Sequence, residues 1–232
     1  MLGVLVLALA GCANKPAAVK AVENLGGQIT VDANQPGNPV VAVDLNRTMV
    51  TDAGLKELKG LKSLKTLNLG GTQVTDAGLK ELKELESLQE LDIFNTKVTD
   101  AGLKELKGLK SLQTLKLSGT QITDVGLKEL KEFESLHELD LSYTQVTDSG
   151  LKELKELKSL QTLYLVMTDQ VTDSGLKELK ELKSLQTLFL DGTPVTDSGL
   201  KELKELKSLQ TLFLNGTQVT DAGLKQDRKS VV

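Results

Sequence analysis

The sequence predicts an α/β solenoid in which short helices pack along one side of a parallel sheet. Three observations lead to this prediction. A unit of 24 residues recurs from Val50 onward, one part of each unit has apolar residues at alternate positions, and another part has leucines three residues apart. A fixed period of this length is typical of solenoids that stack strand-plus-helix units along one axis.

The repeat is regular, with one exception. Seven units are complete and an eighth stops after Leu224. The spacing is 24 residues except in the unit Val146–Gln170, which has 25. We expect the extra residue to form a bulged turn within residues 166–170. The units begin at Val50, Val74, Val98, Ile122, Val146, Val171, Val195 and Val219.

The unit Val74–Lys97 shows how each strand is encoded. Leu91 and Ile93 alternate with Glu90 and Asp92 in its second half. Such alternation is typical of a strand that buries one face, because successive side chains of a strand point to opposite sides. The sequence therefore predicts one short, half-buried strand per unit.

The first half of the same unit predicts a helix. Leu79, Leu82 and Leu85 recur every three residues and are expected to line one apolar stripe. Thr75 or Asp76 precedes this segment, and a side-chain oxygen there can accept a free N–H of the first turn. We therefore interpret the aspartate of each VTD segment as a cap at the helix start.

A single unit is not expected to fold alone. Its seven apolar side chains contribute about 1.5–3 kcal/mol each when fully buried. Ordering its 24 residues costs about 1–2 kcal/mol each in backbone entropy. The strands must therefore pair, and the leucines must interleave, with those of the next unit.

The pattern LxxLxLxxTxV followed by TDxGLxxL resembles the leucine-rich repeat, and the segments VTDAGL and VTDSGL most resemble the repeats of bacterial lipoproteins. The resemblance covers residues 50–224. It implies a curved solenoid with parallel strands on the concave face and short helices on the convex face. Many leucine-rich repeats have asparagine where this chain has threonine, and a threonine hydroxyl can also satisfy backbone groups of the turn. We expect a structural threonine ladder at Thr48, Thr72, Thr96, Thr120, Thr144, Thr168, Thr193 and Thr217.

Residues 1–12 are predicted to be a targeting segment. Their apolar run is too short to span a bilayer and ends in Leu9-Ala10-Gly11-Cys12. This ending resembles the lipobox of bacterial lipoproteins, which implies cleavage before Cys12 and a lipid on that cysteine. The resemblance also implies a lipid-anchored protein of the bacterial cell envelope, facing the periplasm or the cell surface. Cys12 is the only cysteine, so a disulfide within the monomer is excluded.

Residues 13–49 are predicted to form a short tether followed by an N-terminal cap. Apolar residues at helical spacing between Ala18 and Leu25 indicate a helix, and the glycine pair that follows indicates its end. Strands are expected at residues 28–31 and 40–45. This cap would shield the first leucine layer from water.

Residues 225–232 are predicted to be a tail, and we expect the native chain to extend further. The eighth helix begins and then stops without a polar cap, which would leave Leu214 and Leu224 facing solvent or a partner. A possible consequence is end-to-end self-association of copies at this end of the solenoid.

Composition and charge exclude one class of partner. Charged residues make up 26% of the chain and the net charge is −4, with lysine and glutamate interspersed along every helical segment. A nucleic-acid surface requires a segregated basic face, which this pattern does not provide. We interpret the KELKELK segments as a solvated convex face.

Variation among the repeats falls on one face. The helical segments barely vary, whereas two outward strand positions do. The middle outward position is occupied in turn by Asp44, Asn68, Asp92, Lys116, Asp140, Tyr164, Phe189 and Phe213. The next outward position is occupied by Asn46, Gly70, Phe94, Ser118, Ser142, Val166, Asp191 and Asn215.

Aromatic residues concentrate at these positions. Tyr164, Phe189 and Phe213 are predicted to form an exposed ladder on neighbouring strands, with Phe94 and Tyr143 on or beside the same face. Exposed aromatic patches commonly mark interaction sites, although cross-strand aromatic pairs also stabilise a sheet. We predict that these five residues contact a partner.

A charged patch is expected beside the ladder, and Asp92, Lys116 and Asp140 from it are also predicted to contact the partner. Lys116 lies between the two aspartates, and we expect it to pair with both of them rather than the aspartates to hold a metal. His137 has no assembled nucleophile partner, and Ser142 belongs to the same strand and turn. We predict no catalytic residues, no metal and no cofactor.

The sequence therefore predicts a membrane-anchored protein-binding module and not an enzyme. Two alternatives remain open. One is a structural envelope or spacer protein whose concave face has no specific ligand. The other is an intracellular adaptor, because TDxGL repeats also resemble those of F-box substrate receptors, although no F-box-like segment precedes the repeats here.

Overall fold

The computed structural model describes residues 17–227, which form one sheet of nine strands in sequence order. Each repeat contributes one strand of three residues, shorter than the alternating pattern alone indicates. The strands are β1 (Gln28–Val31), β2 (Val40–Asp44), β3 (Thr66–Asn68), β4 (Glu90–Asp92), β5 (Thr114–Lys116), β6 (Glu138–Asp140), β7 (Thr162–Tyr164), β8 (Thr187–Phe189) and β9 (Thr211–Phe213).

All strand pairs from β2 to β9 are parallel and keep one register. Leu67 lies opposite Leu91, and each leucine of later strands lies opposite its counterpart in the next repeat. The 25-residue repeat does not disturb this register, since Thr162 pairs with Thr187. The same residue position therefore forms a straight column across the sheet.

Helices lie on the other side of the core. From α2 onward, each α-helix starts at the aspartate of the VTD or ITD segment. The α-helices are α1 (Ala17–Asn24), α2 (Asp52–Leu55), α3 (Asp76–Leu79), α4 (Asp100–Glu105), α5 (Asp124–Leu127), α6 (Asp148–Leu151), α7 (Asp173–Leu176), α8 (Asp197–Glu202) and α9 (Asp221–Asp227).

The predicted short helices are present, and 3₁₀ segments follow most of these α-helical turns. A 3₁₀ helix has three residues per turn, which matches the three-residue spacing of the leucines better than an α-helix does. The 3₁₀ segments are Lys56–Gly60, Lys80–Leu82, Leu130–Glu132, Lys152–Glu156, Lys177–Glu181 and Leu203–Glu205.

The core is a continuous stack of aliphatic side chains between strands and helices. In the repeat that starts at Val74, all seven apolar positions are fully buried. Phe133 replaces a core leucine and is fully buried as well. Because every layer contacts the layers before and after it, burial depends on stacking, as the sequence indicates.

The aspartate of the VTD segment does not cap its own helix, which corrects the interpretation made from the sequence. Thr99 is the N-cap, and its hydroxyl accepts a hydrogen bond from the N–H of Ala101. The carboxylate of Asp76 instead reaches the next repeat and accepts bonds from the N–H of Thr99 at 2.8 Å and from its hydroxyl at 2.7 Å.

The same pair of bonds links every repeat to the next. We call this contact the Asp–Thr clamp. Two bonds from Thr220 hold the pKa of Asp197 below its usual value, because they stabilise the ionised carboxylate. The clamps join Asp52 to Thr75, Asp76 to Thr99, Asp100 to Thr123, Asp124 to Thr147, Asp148 to Thr172, Asp173 to Thr196 and Asp197 to Thr220.

From Gly78 onward, the clamp explains the glycine two residues after each aspartate. A Cβ on Gly126 would collide with the carboxylate of Asp100 in the preceding repeat, and Gly78 lies against Asp52 in the same way. The glycine therefore leaves room for the carboxylate to cross between repeats.

The threonine ladder is confirmed. The hydroxyl of Thr72 donates to the carbonyl of Leu69, and that of Thr168 donates to the carbonyl of Leu165. The equivalent bond closes the turn after each strand from β2 to β9. These threonines are structural, because their hydroxyls are used within the turn.

The bulged turn of the 25-residue repeat is present. The N–H of Val171 donates to the carbonyl of Thr168 at 3.0 Å, which closes an extra turn around the inserted residue. Asp169 and Gln170 are both exposed in this turn. The insertion therefore enlarges the turn and leaves the strand and the core layer in place.

The N-terminal elements agree with the expected helix and two strands. Helix α1 buries Val19 and Val22, and β1 pairs antiparallel with β2. Within residues 17–227, none of the helices combines the length and apolar character that crossing a bilayer requires. Cys12 and the lipobox lie outside the described residues.

The convex surface carries ion pairs between repeats, in agreement with a solvated face of mixed charge. Lys62 pairs with Glu84 at 2.7 Å, and Lys110 pairs with Glu132 at 2.9 Å. All four side chains are at least one-third exposed. Water and salt screen such pairs, so they favour solubility more than stability.

We predict that the Asp–Thr clamp and its glycine are energetically coupled. Asp100→Ala removes the acceptor of two Thr123 donors and should lower the free energy of unfolding by about 1–3 kcal/mol. Gly126→Ala should also destabilise the fold, because the new Cβ collides with the Asp100 carboxylate. The double variant should lose less than the sum of the two, measured by urea unfolding followed by circular dichroism.

Gly60→Ala is the matched control for this cycle, since a Cβ there meets no atom within 4 Å. Its free energy of unfolding should change by less than about 0.5 kcal/mol. Strict additivity of the Asp100 and Gly126 substitutions would contradict the clamp as the reason for the glycine.

Candidate functional site

The sheet face turned away from the core is the candidate site, and we refer to it as the concave face. The register confirms the column of middle outward positions expected from the sequence. Asp92 lies opposite Lys116, Lys116 opposite Asp140, and Asp140 opposite Tyr164. The column then continues through Phe189 and Phe213, which are opposite each other.

Tyr164, Phe189 and Phe213 form a stacked aromatic ladder. The ring centroids of neighbouring members are 4.2 Å apart, and their planes differ by 9° and 2°. The ladder is less exposed than expected, because Tyr164 and Phe189 are half-buried and Phe213 is 37% exposed. Burial raises the pKa of the Tyr164 hydroxyl, and the nearby carboxylates of Glu138 and Asp140 raise it further.

Aspartate and asparagine in the middle column have a structural role that the sequence analysis missed. The carboxylate of Asp92 accepts a bond from the N–H of Phe94 at 3.0 Å, and that of Asp140 accepts one from Ser142 at 2.8 Å. Asp44 and Asn68 make the same contact to the residue two positions on. Each side chain thus satisfies the backbone where its strand ends.

An aromatic residue in this column cannot accept that bond, and after Tyr164 and Phe213 the preceding repeat supplies a substitute. The hydroxyl of Ser142 accepts a bond from the N–H of Val166 at 3.2 Å. The carboxylate of Asp191 accepts bonds from the N–H and the side-chain amide of Asn215 at 2.9 and 2.6 Å. Ser142 and Asp191 therefore support the backbone beside the ladder.

The expected pairing of Lys116 with both Asp92 and Asp140 is wrong. The ion pair that Lys116 forms is with Glu138, at 3.9 Å. Both aspartates instead accept backbone bonds at their own strand ends. Their positions and that of Lys116 are as predicted, on the concave face and half-buried.

The pKa of Asp92 is raised above its usual value. Partial burial raises its pKa, and the bond from the Phe94 N–H and the charge of Lys116 offset part of that rise. The carboxylates of Asp140 and Asp44 raise it further. Burial therefore dominates over the neighbouring cation.

Phe94 lies on the concave face, whereas Tyr143 lies in a turn at its edge. The half-buried ring of Phe94 lies over Gly70, where even a Cβ would collide with it. Tyr143 lies in the turn after β6, directly after Ser142. It has a left-handed φ of 56°, and 59% of its surface is exposed. Phe94 thus covers its neighbouring repeat, whereas Tyr143 projects from the edge of the concave face.

Within residues 17–227, no group of three or more histidine, cysteine, aspartate or glutamate side chains is placed to hold a metal ion. The Nδ1 atom of His137 is buried and has no hydrogen-bond partner in this part of the chain. The Ser142 hydroxyl is already engaged with the Val166 N–H. These side chains do not form a nucleophile–base pair.

Depressions on the concave face are small. One of about 160 Å³ is lined by Asn68, Asp92 and Lys116, and another of about 240 Å³ lies beside β1 and β2. Sites for small molecules usually enclose about 300–1,000 Å³. The surface suits contact with an extended partner better than enclosure of a small ligand.

The last described repeat leaves apolar side chains partly uncovered. Leu224 is 43% exposed and Leu214 is half-buried. Self-association through this region stays a prediction.

Comparison with sequence profiles of known families gives two matches. A profile of two leucine-rich repeat copies matches residues 86–132, and a profile of a single leucine-rich repeat matches residues 60–83 and 134–155. No curated protein matches the chain.

Solved structures with a similar fold include two internalins of Listeria monocytogenes. Internalin C2 is 29% identical over 91% of this chain and 89% of its own, with a TM-score of 0.65. Internalin F is 20% identical over 93% of this chain and 73% of its own, with a TM-score of 0.53. A structure of PEPR1–AtPEP1 is 21% identical over 82% of this chain and 26% of its own, with a TM-score of 0.52. The last two show the fold alone.

The fold is an α/β solenoid of stacked repeats. It has nine strands in sequence order, short helices on the other side of the core, and an outer sheet face on which equivalent residues form columns. With the matched repeats and the internalin neighbours, the chain is a leucine-rich repeat protein. Proteins of this class are typically interaction modules without enzymatic activity. The lipoprotein subtype indicated by the sequence stays a prediction.

We predict that Asp92→Asn raises stability at neutral pH and removes a pH dependence. Because the folded pKa of Asp92 is raised, the folded state binds its proton more tightly than the unfolded state does. Stability therefore falls as pH rises from the unfolded pKa through the folded pKa, and it stays lower above. Asparagine is neutral throughout and can still accept the Phe94 N–H. Solvent screening should keep the gain below about 1 kcal/mol.

Urea unfolding at several pH values measures this effect. The difference between Asp92→Asn and wild type should disappear in acid, where Asp92 is protonated in both states. Asp44→Asn is the matched control, because Asp44 makes the same backbone contact from an exposed position. If Asp92→Asn is less stable than wild type at neutral pH, the prediction is contradicted. In that case the contacts of the ionised carboxylate stabilise the fold by more than its burial destabilises it.

Proposed function

We propose that the chain is a membrane-anchored module that binds a protein segment on the concave face. The aromatic ladder of Tyr164, Phe189 and Phe213 is the apolar anchor of this site. The remaining contacts come from residues around it, namely Phe94, Tyr143, Asp92, Lys116 and Asp140.

The stacked ladder is the observation that carries this proposal. Three aromatic residues occupy one column, where the other strands have aspartate, asparagine or lysine. Placing them there displaces the side chains that would otherwise satisfy the strand-end N–H groups, and after Tyr164 and Phe213 that role is taken by Ser142 and Asp191. Aromatic anchors surrounded by polar groups are characteristic of protein interaction sites.

The open shape of the sheet surface favours a macromolecular partner over a small molecule. The ladder lies on the open sheet surface of β7 to β9, and the two depressions of the concave face lie away from it, along β1 to β5. An extended partner can cross several columns and contact both the rings and the flanking carboxylates, which a small ligand cannot span.

The proposal includes attachment to a bacterial membrane through lipid on Cys12. The support is the segment Leu9-Ala10-Gly11-Cys12 at the end of a short apolar run. Such an anchor would place the solenoid at the cell envelope, on the periplasmic or the outer surface.

We predict that alanine substitutions in the ladder weaken peptide binding. A phage-displayed library of random peptides should yield enriched sequences on the immobilised wild-type protein. Phe189→Ala should weaken binding of an enriched peptide by about 1–2 kcal/mol, or roughly fivefold to thirtyfold, because it removes the central ring. Tyr164→Ala and Phe213→Ala should have smaller effects, measured by calorimetry.

Met49→Ala is the control for the ladder variants, since Met49 is exposed and lies outside the ladder and its neighbours. Its affinity should equal that of wild type. A purely structural ladder gives a different pattern: no enriched peptide, and a loss of stability that is greatest for Phe189, which stacks on both sides. That pattern would favour the spacer alternative.

We predict that Cys12 carries the lipid. Intact mass and membrane fractionation of the native protein should show a lipid-sized addition on wild type, which Cys12→Ser removes together with membrane association. A soluble wild-type chain that retains Met1 contradicts the anchor and favours the intracellular adaptor.

A further inference from the structure

One turn position has a left-handed backbone in every repeat that the structure describes. It immediately precedes the ladder threonine, and its φ lies between 49° and 71°. Glycine and asparagine adopt this conformation most readily, because a larger side chain crowds the backbone. The position is occupied by Arg47, Gly71, Asn95, Gly119, Tyr143, Met167, Gly192 and Gly216.

Arg47, Tyr143 and Met167 depart from the favoured residues, and the last two are apolar and lie in neighbouring repeats. The side chains of these two are 59% and 48% exposed, so burial in the core does not compensate for the strained backbone. Strained backbone that burial in the core does not compensate is often found at functional positions. The edge of the concave face therefore carries two large apolar side chains at a position suited to glycine.

These two side chains lie next to each other along the edge. The N–H of Tyr143 donates to the carbonyl of Val166, directly before Met167, and the N–H of Met167 donates to the carbonyl of Asp191. The sulfur of Met167 lies where a Cβ on Gly192 would be, so its side chain extends over the next repeat. Together, Tyr143 and Met167 cover the edge across three repeats, and we call this pair the apolar rim.

The rim is continuous with the aromatic ladder through the repeat that starts at Val146. Tyr164 begins the ladder, Val166 is the outward residue two positions on, and Met167 follows it on the rim. Serine, aspartate or asparagine occupies the Val166 position in the flanking repeats. The same repeat contains the inserted residue and its exposed turn. Ladder and rim therefore form one L-shaped apolar surface with its corner in this repeat.

Carboxylates surround this surface. Glu138 and Asp140 lie on the strand before Tyr164, and Asp191 follows Phe189 in the next repeat. Asp169 is exposed in the bulged turn behind Met167. Lys116 is the cation placed near this border, and its amino group is directed toward Glu138 at 3.9 Å. A complementary partner needs positive charge on both sides of an apolar centre.

We infer that the partner is an extended polypeptide segment with an apolar or aromatic centre flanked by lysine or arginine, and that it leaves the concave face over the apolar rim. The inference rests on the proposed function and adds the partner's chemistry and path. The ladder holds the apolar centre, Tyr143 and Met167 extend that contact over the edge, and the surrounding carboxylates bind the flanking cations.

Three short fluorescein-labelled peptides test the partner's chemistry. The first has a centre of leucine and phenylalanine flanked by lysines, the second has the same centre flanked by glutamates, and the third has a serine centre flanked by lysines. Fluorescence anisotropy should show that the wild-type protein binds the first at least about tenfold more tightly than either control. Added salt should weaken that binding, because it screens the flanking charges.

Glycine substitutions on the rim test the path. Met167→Gly and Tyr143→Gly should leave thermal stability equal or higher, because glycine relieves the left-handed strain. Each should weaken binding of the lysine-flanked apolar peptide by about threefold to tenfold. Arg47→Gly is the matched control, since it occupies the same turn position far from the ladder. It should relieve the same strain and leave affinity unchanged.

The outcomes separate this inference from the proposed function. Rim variants that bind like wild type, with Phe189→Ala defective, overturn the rim while leaving the ladder as the anchor. Equal binding of the glutamate-flanked peptide, or no binding of the lysine-flanked one, overturns the partner's chemistry. In the latter case, peptides enriched from the random library on the ladder would still support the proposed function.

Discussion

The Asp–Thr clamp between successive repeats is the interaction on which the rest of the molecule depends. A single repeat cannot bury its leucines, so its order comes from its neighbours. Parallel strand pairing holds one side of each layer, and the carboxylate of Asp100 with both donors of Thr123 holds the other. Gly126 leaves room for that carboxylate, so both sides of each layer are joined to the next repeat. The columns on the concave face follow from the single register that the paired strands keep.

Those columns divide into structural and free positions. Where the middle column contains aspartate or asparagine, the side chain satisfies the backbone at the end of its own strand. At Tyr164 and Phe213 the column is aromatic, and Ser142 and Asp191 in the preceding repeats accept the strand-end N–H bonds instead. These two aromatic residues therefore do not leave the N–H groups of Val166 and Asn215 unpaired, which would otherwise destabilise the sheet.

Several departures from the repeat meet in one place. The unit that starts at Val146 has the extra residue, the first ring of the ladder, Val166 in a mostly polar column and Met167 at a left-handed turn. The core and the strand register of this unit are unchanged. Variation is thus confined to surface positions that the stacking does not use. In a solenoid this is the expected place for recognition, because substitutions outside the stacked layers leave the scaffold intact.

The sequence by itself determined the repeat, the α/β solenoid, the outward columns and the turn threonines, because each follows from a local pattern copied at fixed spacing. Tertiary structure decided the features that depend on partners distant in sequence. The acceptor role of Asp76 requires Thr99, which is placed beside it only by stacking. Lys116 lies among several carboxylates, and only the geometry of the strands selects Glu138. The three-residue leucine spacing is compatible with either helix type, and packing between layers selects the short α-helical turn and the 3₁₀ segment.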